Sequence, residues 1–68
     1  MTEIIFLIEE ADEGGYTARA LGESIFTEAE TLEGLRKNVR LAVACHFEDG
    51  LAPPLIRLHF VREEVLSS

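Results

Sequence analysis

The chain has 68 residues, 13 acidic against 6 basic side chains for a net charge of −7, and a hydrophobic content of 47%. That length allows one domain, residues 1–68, and the apolar content is that of a folded chain. The acidic balance argues against direct nucleic-acid binding, which gains its affinity from Lys and Arg on phosphates, and favours a basic protein partner.

Residues 4–8 are β-branched, leucine or aromatic, and apolar on both faces. Ile4, Phe6 and Ile8 point one way and Ile5 and Leu7 the other, the pattern of a central strand. Residues 11–15 form an acidic turn in which Gly14 and Gly15 can take positive φ. Residues 16–21 make a second strand, antiparallel to the first by hairpin logic. Gly22 and Glu23 turn the chain again. A third strand is expected over residues 24–29, at an edge because Thr27 and Glu28 are polar.

Thr31 is placed to cap a helix, its hydroxyl taking a free N–H of the first turn, and Glu33 suits the positive helix end. Leu32, Leu35, Val39, Ala42, Val43 and His46 recur at helical spacing and define one apolar stripe. Gly34 is costly inside a helix unless it permits close packing against the sheet. Asp49 and Gly50 are expected to end the helix, with Gly50 as the C′ residue, and Pro53-Pro54 forbids its continuation. A last strand is expected over residues 55–61, with Ile56, Leu58 and Phe60 on one face and Arg57 and His59 on the other. Residues 62–68 read as a polar end, frayed or packed on a partner.

These elements predict an α+β fold, β-β-β-α-β, with one helix on one face of a four-stranded mixed sheet. A right-handed crossover gives the order 3-2-1-4, expected to bring the two most apolar strands together at the centre. One helix covers one face only. The other is expected to expose Ile5, Leu7, Leu55 and Val61, or their opposite-parity neighbours, as the candidate face for a homo-oligomer, dimer or higher. Self-association is also expected by elimination. A core this small rarely supplies more than about 3–5 kcal/mol without a disulfide, a metal or a partner chain, and the lone Cys45 leaves no internal disulfide.

Chemistry is sparse. Glu9, Glu10, Asp12 and Glu13 crowd one turn rather than converging from separate elements, and they lack calcium-loop spacing. Cys45 and His46 are adjacent on a helix and diverge by about 100°, and His59 lies on the strand face turned away from Ile56, Leu58 and Phe60. They are read as a buried thiol and two ordinary histidines, not as zinc ligands or a nucleophile pair. Arg36, Lys37 and Arg40 form a solvated helix face without interleaved aromatics. No phosphate-binding glycine pattern occurs. No catalytic residue, cofactor or metal is therefore expected. The lone thiol, the absence of a signal-peptide pattern and the lack of any membrane-length apolar run predict a cytoplasmic protein with no membrane partner.

The order of motifs carries a resemblance. A strand ending in acids, then Asp12-Glu13-Gly14-Gly15-Tyr16, a strand, a second hairpin and Thr31-Leu32-Glu33 opening a helix resembles the HicB-like antitoxin domain family. That family shows D-x-G-G-Y or a similar turn and a helix introduced by T-L-E-E-A. Asp12, Gly14, Gly15, Tyr16, Thr31, Leu32 and Glu33 match, and the likeness spans residues 4–48. The family's P-x-L-P-G-C segment between strands two and three is missing here, where only Leu21-Gly22-Glu23-Ser24 stands. The resemblance implies a degenerate ribonuclease-H-like unit that binds and blocks a small basic mRNA-cleaving toxin. Complete members add a C-terminal DNA-binding domain, for which this chain ends too early, so operator binding is not expected. Ribonuclease H catalysis is not expected either, since no acid lies within residues 4–8 or 55–61. The expected function is a non-enzymatic protein-binding module of antitoxin type; the alternative is an orphan homo-oligomeric domain.

Overall fold

A computed structural model describes residues 2–68. Its elements are β1 (Glu3–Glu10), β2 (Tyr16–Ala20), β3 (Phe26–Ala29), α1 (Leu32–His46) and β4 (Leu55–Phe60). The sheet order is β3-β2-β1-β4. β1 runs antiparallel to β2 and parallel to β4, and β2 runs antiparallel to β3. The α+β class, the element order and the strand order are those expected. The centre of the sheet is not: β1 and β2 lie inside, and apolar β4 is an edge strand with β1 as its one neighbour. Four strands in this order leave the returning strand with a partner on one side alone.

The core lies between the sheet and α1. Ile4, Phe6 and Ile8 of β1 meet Ala18 and Ala20 of β2 and Leu35, Val39 and Val43 of α1, all buried. The alternation of β1 and the i, i+4 spacing in α1 produce these two facing surfaces. Phe6, Ile8, Leu35 and Val39 are the largest fully buried side chains, each stabilising by about 1.5–3 kcal/mol relative to exposure. β3 starts at Phe26, two residues later than expected, because the preceding loop turns Ile25 into the core while its carbonyl accepts from the Ala20 N–H.

Thr31 caps α1 as expected, its Oγ1 accepting from the Gly34 N–H at 3.0 Å. Gly34 serves close approach: a Cβ there would lie 3.5 Å from the Ala29 Cβ and 3.1 Å from the Thr31 hydroxyl. The first turn of the helix therefore sits against the end of β3. Asn38 of the next turn donates its Nδ2 to the Glu28 carbonyl at 3.0 Å.

The other end of α1 differs from expectation. The helix stops at His46, with Phe47 as an extended C-cap whose N–H bonds the Val43 carbonyl. Phe47 packs on the core, and that contact ends the helix before Asp49-Gly50 is reached. Gly50 takes its positive φ of 80° in a separate turn closed from the Leu51 N–H to the Glu48 carbonyl. Cys45, expected to be buried, is exposed. It lies about 200° around the helix from Val43, on the face away from the sheet. His46, expected at the end of the apolar stripe, is also exposed and pairs with Glu23 at 3.2 Å.

Residues 61–68 continue beyond β4 without regular structure, all exposed. They stretch the molecule to 51 Å and its radius of gyration to 13.3 Å, against about 11 Å for a compact chain of this length.

Candidate interaction surfaces

The open face of the sheet follows from the register. Leu7 pairs with Arg19 on β2 and His59 on β4, and Ile5 pairs with Arg57. Paired residues share a face, so of the two parities left open by the sequence, Ile5, Leu7 and Leu55 are the ones that lie opposite the helix, together with Arg19, Arg57 and His59. Alternation brings Val61, one residue beyond β4, to the same face. Phe26, 61% exposed, joins it through its pairing with Arg19; its parity in the third strand was the signal for this. Ile5 and Leu7 are half-buried among the long arginine and histidine neighbours, whose aliphatic parts cover apolar surface. Arg57 also donates from Nε to Glu3 Oε1 at 3.0 Å. Both partners are solvent-accessible, so this pair contributes at most about 1 kcal/mol.

The second surface is the acidic end. The β1–β2 hairpin closes through bonds from the Gly14 N–H to the Ala11 carbonyl and from the Ala11 N–H to the Gly15 carbonyl, both 3.0 Å. Gly14 and Gly15 have φ of 96° and 85°, as their place in the turn demands. Gly15 is also fixed by proximity, since a Cβ there would lie 2.9 Å from the Ala29 carbonyl oxygen. This contact folds the hairpin over the end of β3 and makes a shallow cleft lined by Asp12, Glu13, Tyr16, Glu28 and Glu30. Asp12 is exposed and Tyr16 packs part of its ring on the core. Glu9 and Glu10 extend the same acidic rim at the end of β1.

The third surface was not read from the sequence. α1 does not cover β4, and the gap is a groove of about 370 Å³ lined by Arg36, Val39, Arg40, Pro54, Ile56 and Leu58. Its floor is apolar and its rim carries two guanidinium groups. Several exposed large apolar side chains lie along the same edge and past it: Leu55 at 60%, Phe60 at 50%, Val65 at 85% and Leu66 at 81%.

Cys45, His46 and His59 do not converge: the first two diverge on α1 and the third lies across the sheet on the open face. Among the described residues, no three His, Cys, Asp or Glu side chains are grouped so as to hold a metal ion. No helix among them is long and apolar enough to cross a membrane.

Two relatives are similar to this chain in sequence. A UPF0150 protein of Archaeoglobus fulgidus is 62% identical over 52 residues, covering 76% of this chain and 77% of its own. A UPF0150 protein of Thermotoga maritima is 37% identical over 65 residues, covering 96% of this chain and 91% of its own. The chain belongs to the UPF0150 family. The names of the two UPF0150 relatives state no activity. No protein-family model matches the chain, and no solved structure does.

Proposed function

We propose that this UPF0150 chain is a non-enzymatic protein-binding module of antitoxin type, acting in the cytoplasm by sequestering a small basic toxin that cleaves mRNA. The observation that carries the reading is the acidic end of the sheet. Exposed carboxylates of Asp12, Glu13, Glu28 and Glu30 line a cleft, with Glu9 and Glu10 exposed at the adjoining end of β1, and the same Gly14-Gly15-Tyr16 turn that shapes it carries the HicB-like resemblance. An acidic surface of this kind speeds encounter with a basic protein and makes binding fall with added salt. The half-buried Ile5 and Leu7 and exposed Phe26 nearby give a bound partner apolar surface to cover.

The test is copurification and inhibition. The protein is expected to copurify with a small basic protein encoded beside it and to block that protein's cleavage of RNA. If the purified chain neither binds nor inhibits any such neighbouring ribonuclease, the antitoxin reading is lost.

A second reading, an orphan homo-oligomeric domain, is favoured by the shared placement of Ile5, Leu7, Leu55 and Val61 on the uncovered face. Absence of an adjacent toxin gene, with self-association retained, would select it.

A further inference from the structure

The two sheet edges differ. The β3 edge is short and has one carbonyl occupied by Asn38. Among the described residues the β4 edge is free, and residues 61–68 beyond it run on into solvent instead of folding back. The Val61 N–H donates to the Ile8 carbonyl. Odd-numbered residues of this strand therefore turn their backbone groups toward β1, and Ile56, Leu58 and Phe60 turn theirs outward, unpaired. Such an edge templates another strand. No Gly, Pro, Asn or Asp lies between Phe60 and Val65 to return the tail to its own groove.

We propose that the occupant is a second copy of this chain, paired antiparallel along β4 about a twofold axis at Phe60, with the two tails exchanged. This interface is separate from the acidic surface and does not rest on the antitoxin reading. Outward backbone groups must meet outward ones, which restricts the register to even-with-even pairing. Centring on Phe60 then sets Leu58 opposite the second copy's Arg62, and Ile56 opposite the second copy's Glu64. On the open face, Arg57 meets the second copy's Glu63 and Leu55 meets the second copy's Val65. Arg62, Glu64 and Leu66 of each tail come to the groove face of the other copy, Glu64 offering its carboxylate where Arg36 and Arg40 stand over Val39, Ile56 and Leu58. Pairing ends with Leu66 opposite Pro54, which has no N–H to offer. The edge and the tail thus have matching lengths, and the exposed Leu55, Phe60, Val65 and Leu66 are covered together.

The register is tested by disulfide trapping. Residues directly opposite in an antiparallel pair have Cα atoms about 4.5–5.5 Å apart, within the roughly 4.4–6.8 Å range of a disulfide. In a Cys45→Ser background, Phe60→Cys is expected to oxidise to a disulfide-linked dimer, whereas Leu7→Cys on the open face stays reduced. Glu63→Arg lies on a tail outside the folded core and leaves folding intact. It is expected to raise the dimer dissociation constant in sedimentation equilibrium about tenfold or more, because two opposite-charge pairs become like-charge pairs at once. A monomeric full-length chain at high micromolar concentration, linkage through Leu7→Cys instead of Phe60→Cys, or an unchanged dissociation constant for Glu63→Arg would each overturn the proposal. None of these outcomes bears on whether a toxin binds.

Discussion

Gly14 and Gly15 are neighbours in sequence and alike in backbone angle, yet alanine is expected to cost much more at the second. Both have positive φ, where an L side chain costs about 1–2 kcal/mol. The stiffer unfolded chain returns about 0.4–1 kcal/mol of that. Gly14 faces open space, so Gly14→Ala should destabilise by roughly 1 kcal/mol. At Gly15 the new Cβ would meet the Ala29 carbonyl oxygen at 2.9 Å. That atom belongs to the backbone of β3 and cannot rotate away. The hairpin must lift from the strand, adding about 1–3 kcal/mol of overpacking, for a total of roughly 2–4 kcal/mol. This is most of the stability of a domain of this size, about 3–5 kcal/mol. Urea denaturation followed by circular dichroism at one fixed protein concentration measures both variants. The reasoning fails if Gly15→Ala and Gly14→Ala have midpoints that agree within error, for then the approach to Ala29 contributes nothing.

Three further outcomes are expected. Thr31→Ala removes the oxygen that accepts from the Gly34 N–H and should lower stability by about 1 kcal/mol in the same titration, while Thr31→Ser retains most of it. Leu35→Ala opens a cavity at a position with no exposed surface; a loss of about 2–5 kcal/mol should leave the chain largely unfolded at room temperature, visible as a lost cooperative thermal transition. Cys45 is exposed, so the native protein should react with a thiol reagent as fast as the urea-unfolded chain; slow reaction relieved by urea would restore the buried reading.

The order of elements was legible because it depends on local patterns. The uninterrupted β-branched and aromatic run in residues 4–8 marked β1, the glycine pair marked the hairpin, and Thr31 with the Leu35-Val39-Val43 spacing marked the helix and its buried face. Errors arose where a local signal competed with a tertiary contact. Asp49-Gly50 is a sound helix stop, but Phe47 reached the core first. Cys45 has the composition of a buried residue, but two positions past Val43 is the wrong side of a helix. Parity divided β1 into two apolar faces and grouped Arg57 with His59 on β4, but only the position of the helix left Ile5 and Leu7 on the open face. The groove beside β4 was not legible, because its lining comes from α1, the proline turn and β4, and their spacing depends on where the helix crosses the sheet.

The sequence by itself determined which residues form strands and helix, which side of α1 is covered, and how strongly acidic the surface is, since these follow from short-range periodicity and from composition. Only the tertiary structure decided that β4 stands at an edge with its outward backbone groups unpaired, that Gly15 presses on Ala29, and that carboxylates from β1, the hairpin and β3 gather at one end. Each of these depends on distances between segments far apart in the chain, and a periodic pattern along one segment holds no information about those distances.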